Sequence, residues 1–104
     1  MSQKTAIGID SLLLPKRAQI LEIAEKHGAF NVRVFGSVAR GEATQSSDID
    51  LLVDYDPERR TPWFPAGLIR DLQALLGCEV DIATTAMLRE DRGRAQILEE
   101  AIAL

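Results

Sequence analysis

The chain has 104 residues and a formal net charge of -4, with 46% hydrophobic and 27% charged residues. This length allows one domain around one core and leaves little room for a separate substrate-binding lobe, and the composition excludes a disordered chain. The acidic balance argues against a broad nucleic-acid footprint, which would cluster Lys and Arg, although a small electropositive pocket remains compatible with it.

Residues 1–11 show no period and read as a loose lead-in to a single domain spanning 1–104. Pro15 to His27 has a helical pattern. Ile20, Leu21, Ile23 and Ala24 fall at helical spacings opposite Lys16, Arg17, Glu22, Glu25 and Lys26. Pro15 suits a first turn and Gly28 a stop. The period then changes to two. Phe30, Val32 and Val34 alternate with Asn31, Arg33 and Phe35, which predicts a strand running into Gly36. Gly36 to Ser47 reads as a loop with one short helical turn.

Ile49 to Tyr55 is a second strand, so apolar that both its faces are expected to be covered. Asp56 to Pro62 is a turn-rich loop. Trp63 and Phe64, between Pro62 and Pro65, read as core anchors of that loop, with a partner surface as the alternative. Ala66 to Leu76 is helical, ended by Gly77, and Cys78 to Thr84 is a third strand. The tail from Ala86 to Leu104 holds a last helical stretch through Ala95, Ile97, Leu98, Ala101 and Ile102. The order helix, strand, strand, helix, strand, helix predicts an α/β fold, one small mixed sheet flanked by helices.

Cys78 is the single cysteine, so no internal disulfide can form, and a reducing, cytoplasmic setting fits. No apolar run approaches the roughly 20 residues that span a bilayer. The first residues lack the basic-then-apolar order of a signal peptide. No membrane partner is expected.

The chemistry concentrates in Gly36-Ser37, ten intervening residues, and Asp48-Ile49-Asp50. Two carboxylates two apart on a strand project from one face. Side by side they repel and raise one another's pKa, a conflict a divalent cation removes. Mg²⁺ favours such a site, held by one or two carboxylates plus substrate phosphates, and two ions about 3.5–4 Å apart can clamp an in-line phosphoryl displacement. A glycine at the end of a strand lets the backbone approach a phosphate, with backbone N–H groups and the Ser37 hydroxyl as donors. Arg40 offers a bidentate contact to a phosphate oxygen, or else is a solvated loop cation. Asp81, mid-strand between Val80 and Ile82, needs a metal or a donor if ionised. It completes a triad if its strand neighbours that of Asp48 and Asp50, and can then accept the proton of an incoming hydroxyl. Pairing with an Arg is its alternative role. His27 suits a helix C-terminus better than catalysis, and Asp54 and Asp56 read as a solvent-facing strand end.

The run Val34-Phe35-Gly36-Ser37-Val38-Ala39-Arg40-Gly41-Glu42-Ala43, followed by Ser47-Asp48-Ile49-Asp50-Leu51-Leu52-Val53, resembles the polymerase-β-like minimal nucleotidyltransferases, the MNT proteins. The spaced five-residue pattern should arise by chance in on the order of one in a thousand chains this long, so the match is specific. It is tightest from Phe35 to Val53 and extends along nearly the whole chain. The resemblance implies that Gly36 and Ser37 hold a triphosphate and that Asp48, Asp50 and Asp81 form the metal-binding and catalytic triad. One departure is Val38, where many members carry Arg.

The resemblance further implies transfer of a nucleoside monophosphate from an NTP to a hydroxyl. It implies a Mg²⁺-dependent antitoxin that uses ATP to place AMP on a tyrosine of a partner HEPN-domain toxin, the two forming a hetero-oligomer. Two alternatives stand beside it. One is an antitoxin that neutralises its partner by binding alone. The other is a nucleotidyltransferase acting on RNA or a small molecule, of which RNA is disfavoured by the acidic balance.

Overall fold

A computed structural model describes residues 12–42, 48–88 and 94–104. The lead-in 1–11, the end of the loop before Asp48 and the start of the C-terminal tail fall outside the described residues. A 3-10 turn, Leu14–Lys16, leads into helix α1, Arg17–Lys26. Strand β1 is Ala29–Phe35, and the short helix α2, Gly36–Ala39, follows without a break. Strand β2 is Ile49–Tyr55, helix α3 is Ala66–Leu76 and strand β3 is Val80–Thr84. Helix α4, Arg94–Glu100, and a two-residue strand β4, Ile102–Ala103, close the chain.

The four strands form one mixed sheet in the order β3-β2-β1-β4. β1 runs antiparallel to β2 and β4, whereas β2 and β3 are parallel and joined through α3, as parallel neighbours require a crossover. α1 and α3 pack on each other and on the sheet. Alternation along the strands explains which face they cover. Val32 and Val34, Ile49, Leu51 and Val53, and Val80 and Ile82 point to one side and merge with Ile20, Ala24, Leu68 and Leu72 into one buried cluster. On the other face of β2 only Leu52 is buried; Asp50 and Asp54 are half-buried there. Covering of β2 on both faces therefore holds at its middle and not at its ends.

Three expectations are corrected. Ala101 and Ile102 do not continue a helix. α4 stops at Glu100 and the chain turns extended, pairing Ile102 with Val34 and Ala103 with Arg33, and the Leu104 N–H donates to the Val32 carbonyl at 2.9 Å. Phe30 does not share the inward face of Val32 and Val34. The register with β2 shifts between Phe30 and Arg33, where Asn31 takes a φ of 53°, and this bulge turns Phe30 out to solvent. Trp63 is not a core anchor, being 76% exposed. Phe64 alone fulfils that role, packing against the core with its ring 5.0 Å from that of Tyr55.

His27 closes the far end of the sheet. It is buried at the end of α1, with Nδ1 2.9 Å from the Thr61 hydroxyl and Nε2 2.7 Å from an Asp71 carboxylate oxygen. It thereby ties α1, the loop after β2 and α3 together. The hydrogen bond from His27 holds the Asp71 carboxyl below its ordinary range, helped by the nearby Lys26. Gly28, at a φ of 80°, has no room for a Cβ, which would meet the Arg59 and Arg60 backbone at 2.6 Å.

Candidate active site

The site is built where β1 turns into α2. Gly36 sits at a φ of 76°, a left-handed conformation that side chains rarely adopt. Any Cβ there would also collide with an Asp50 carboxylate oxygen and lie 3.2 Å from its Cγ. Two independent constraints therefore demand glycine. The second of them shows that the two halves of the motif, fourteen residues apart, meet in space. Phe35 and Asp50 are partners across the antiparallel pair, which is what brings Asp50 against the turn.

Parallel pairing does the rest. Asp50 and Asp81 are direct partners between β2 and β3, so their side chains leave the sheet from one face. Asp48, exposed, stands one residue before β2. Burial pushes the Asp50 carboxyl above its ordinary range, and the charges of Asp81 and Asp48 push it further; only Arg40 opposes them. No hydrogen bond among the described residues relieves it. The sheet puts Asp81 in register with Asp50, and Asp48 lies near enough for its charge to act on Asp50. Among the described residues, however, no three carboxylate, imidazole or thiol side chains stand close enough to cage an ion. Asp48 and Asp81 are exposed and face water.

Ser37, the second residue of α2, is half-buried. Arg40, just after α2, is neither idle nor solvated on all sides. Its Nε donates to Glu42 at 2.6 Å and its Nη1 to Glu100 at 2.8 Å. Val38 points into the core and is buried, so the residue at this position is a packing element.

Glu100 was not legible as a site residue. The same Oε1 that takes Arg40 also accepts the Gly36 N–H at 2.9 Å. The Gly36 amide, expected to serve as a phosphate donor, is therefore engaged by a protein carboxylate. A signal for Glu100 did exist. Glu99 and Glu100 end a helix, where the dipole disfavours anions, and such a residue needs another reason to be there. Asp54 has such a partnership too: Asn31, Arg33 and Thr85 all donate to it, at 2.9, 3.3 and 2.8 Å.

A family model described as "Nucleotidyltransferase domain" matches residues 17–104. The chain belongs to this family. It is 36% identical over 92 residues to a Methanocaldococcus jannaschii chain named "Putative protein adenylyltransferase", covering 86% of this chain and 89% of that one. It is 33% identical over 99 residues to the protein adenylyltransferase MntA of Thermococcus cleftensis, covering 95% and 96%. A solved structure described as that of a "putative minimal nucleotidyltransferase" superposes with a TM-score of 0.79 at 45% identity, over 94% of this chain and 97% of that one. The protein is thus a nucleotidyltransferase with the minimal-nucleotidyltransferase fold that its motif resembles. Among the described residues no helix is long and apolar enough to cross a membrane.

Proposed function

We propose that this nucleotidyltransferase transfers AMP from ATP to a tyrosine hydroxyl of a partner HEPN-domain toxin, and so acts as the antitoxin of the pair. The observation that carries the reading is the contact of the Asp50 carboxylate with the Gly36 turn, with Asp81 in register beside it. Protein adenylylation is what the relatives' names state of them, and their lengths match this chain's almost end to end.

The residues fit a divalent cation: Asp50 and Asp81 offer hard oxygen donors from one face, with Asp48 close enough for its charge to act on Asp50. Two of these carboxylates suffice where substrate phosphates complete the shell. Mg²⁺ held by Asp48, Asp50 and Asp81 would supply charge neutralisation at the triphosphate. Ser37 and Arg40 orient the phosphate oxygens. Asp81, exposed at the rim, accepts the tyrosine proton as its oxygen bonds to the α-phosphorus. The α-phosphorus–oxygen bond to the leaving group breaks, and pyrophosphate departs with the electron pair. Catalysis is positioning and charge compensation.

The test is acceptor labelling. The chain, the HEPN protein, Mg²⁺ and ATP labelled at the α-phosphate are incubated beside the Asp48→Asn/Asp50→Asn variant. Label on the partner that the variant fails to add is the expected result. No label, with the partner bound and inhibited, would replace this reading by steric neutralisation; label on RNA instead would reassign the acceptor.

A further inference from the structure

Glu100 is the charged group at the site that the proposed chemistry leaves unused. It belongs to the C-terminal tail, sixty-four residues from Gly36, yet one of its oxygens binds both the Gly36 amide and Arg40. We infer that Glu100 is a positioning residue for nucleotide binding, holding the Gly36 turn and the Arg40 guanidinium in the arrangement that receives the triphosphate.

The sheet register explains how. Val34 pairs with Ile102 in the antiparallel β1–β4 ladder. Continuing that register two residues places Glu100 opposite Gly36. β4 has ended there, so the carboxylate replaces the backbone acceptor that the next rung would supply. The Gly36 N–H is thus aimed along the sheet toward β4, on the side of β1 opposite β2 and Asp50. Glu100 therefore steadies the turn from behind, without standing on the Asp50 side where the carboxylates gather. Held in this way, Gly36 keeps the left-handed conformation that lets Asp50 lie against it.

Arg40 is held between two carboxylates. Glu42 takes its Nε and Glu100 its Nη1, and among the described residues Nη2 has no partner. A guanidinium fixed at two corners presents its remaining donors in a set direction, which favours a planar, bidentate grip on phosphate oxygens. Without Glu100, only the exposed pair with Glu42 remains, and such pairs hold a side chain weakly. The guanidinium would then swing toward Glu42 or toward the unmet charge of Asp50. A carboxylate at a helix C-terminus is otherwise unfavourable, so these two bonds are what Glu100 gains there.

The inference rests on the assignment of Arg40 to the triphosphate, and the experiment separates the two. Affinity for ATP with Mg²⁺ is measured by calorimetry on the full chain, without turnover, for wild type, Glu100→Ala, Glu100→Gln, Arg40→Ala and Glu100→Ala/Arg40→Ala. Glu100→Gln keeps an acceptor for Gly36 and serves if the alanine variant folds poorly; melting curves check both. The expected loss is about tenfold for Glu100→Ala and about threefold for Glu100→Gln, typical of charge-assisted contacts. The double variant should lose clearly less than the product of the single losses, because part of the effect of Glu100 passes through Arg40. A merely structural role would lower the melting temperature and leave that coupling at zero. Affinity unchanged or increased in both Glu100 variants, with Arg40→Ala weakened, overturns the inference alone; an increase would show that the carboxylate competes with the nucleotide. Affinity unchanged in Arg40→Ala overturns the phosphate assignment and the inference with it.

Discussion

Asp50 and Asp54 stand on the same face of the same strand, about 13 Å apart, in opposite circumstances. Asp54 accepts from Asn31, Arg33 and Thr85. Asp50 faces two further carboxylates and a glycine, and burial without a donor raises its pKa. The same division runs across the molecule. At the far end of the sheet, Asp71 is paired with His27 and its pKa is lowered. At one end the carboxylates hold elements together; at the other Glu42 and Glu100 are paired with Arg40, but Asp50 is left unmatched where a cationic ligand can match it. Unrelieved like-charge burial is tolerated where it serves chemistry, which is why the pairing of each carboxylate tells more about its role than its exposure does.

The sharpest break in this comparison is at the glycine turn and its carboxylates. Asp50→Asn and Asp48→Asn should each lower kcat for nucleotidyl transfer by about 100-fold or more, the scale seen when a charge-stabilising group is removed from a reacting phosphate or carbonyl. Gly36→Ala should match that loss and also destabilise, since the left-handed backbone alone costs about 1–2 kcal/mol. Steady-state kinetics alongside thermal melts measures both.

At the paired end the signs reverse. Asp54→Ala and His27→Ala should each destabilise by about 1–3 kcal/mol by stranding part-buried donors or acceptors, with kcat per folded molecule within about twofold of wild type, a criterion set by distance from the site. Denaturant titration and active-fraction kinetics check this.

Acidification distinguishes the two ends further. The carboxyl of Asp71 titrates lower in the folded protein than in the unfolded chain, so its stabilisation is present above the ordinary carboxylate range and is lost as pH falls through it. Asp71→Asn should therefore be less stable at pH 7 and lose that deficit in acid. Asp50 has the opposite sign, so an Asp50→Asn advantage at pH 7 should shrink as pH falls through its raised pKa toward the ordinary carboxylate range. The smallest effect belongs to Trp63→Ala, within about 0.5 kcal/mol, because its ring is mostly in water.

What the sequence made legible follows from how local the cause was. β2 and α3 were readable to the residue, since an apolar run between Asp48 and Asp56 and a helical stripe ending at Gly77 are local patterns. Strand alternation and the parallel register put Asp50 and Asp81 on one face, whereas Gly36, Ser37 and Asp48 lie outside the strands and were singled out by their spacing and the resemblance it carries. Phe30 was misread because a bulge at Asn31 breaks the period. β4 was missed because two residues carry no period at all. His27 and Glu100 depend on partners 34 to 64 residues away; an anion at a helix end marks Glu100 as unusual, but no local pattern names the partners of either residue.

The most direct test is the melting temperature of wild type and Asp50→Asn at pH 7, in EDTA and then with excess Mg²⁺. If Asp50 is kept unmatched for a cation, the variant melts a few degrees above wild type in EDTA, and Mg²⁺ raises wild type while leaving the variant nearly unmoved. A variant that melts below wild type in EDTA, with Mg²⁺ acting on both alike, would show that Asp50 is a structural carboxylate like Asp54.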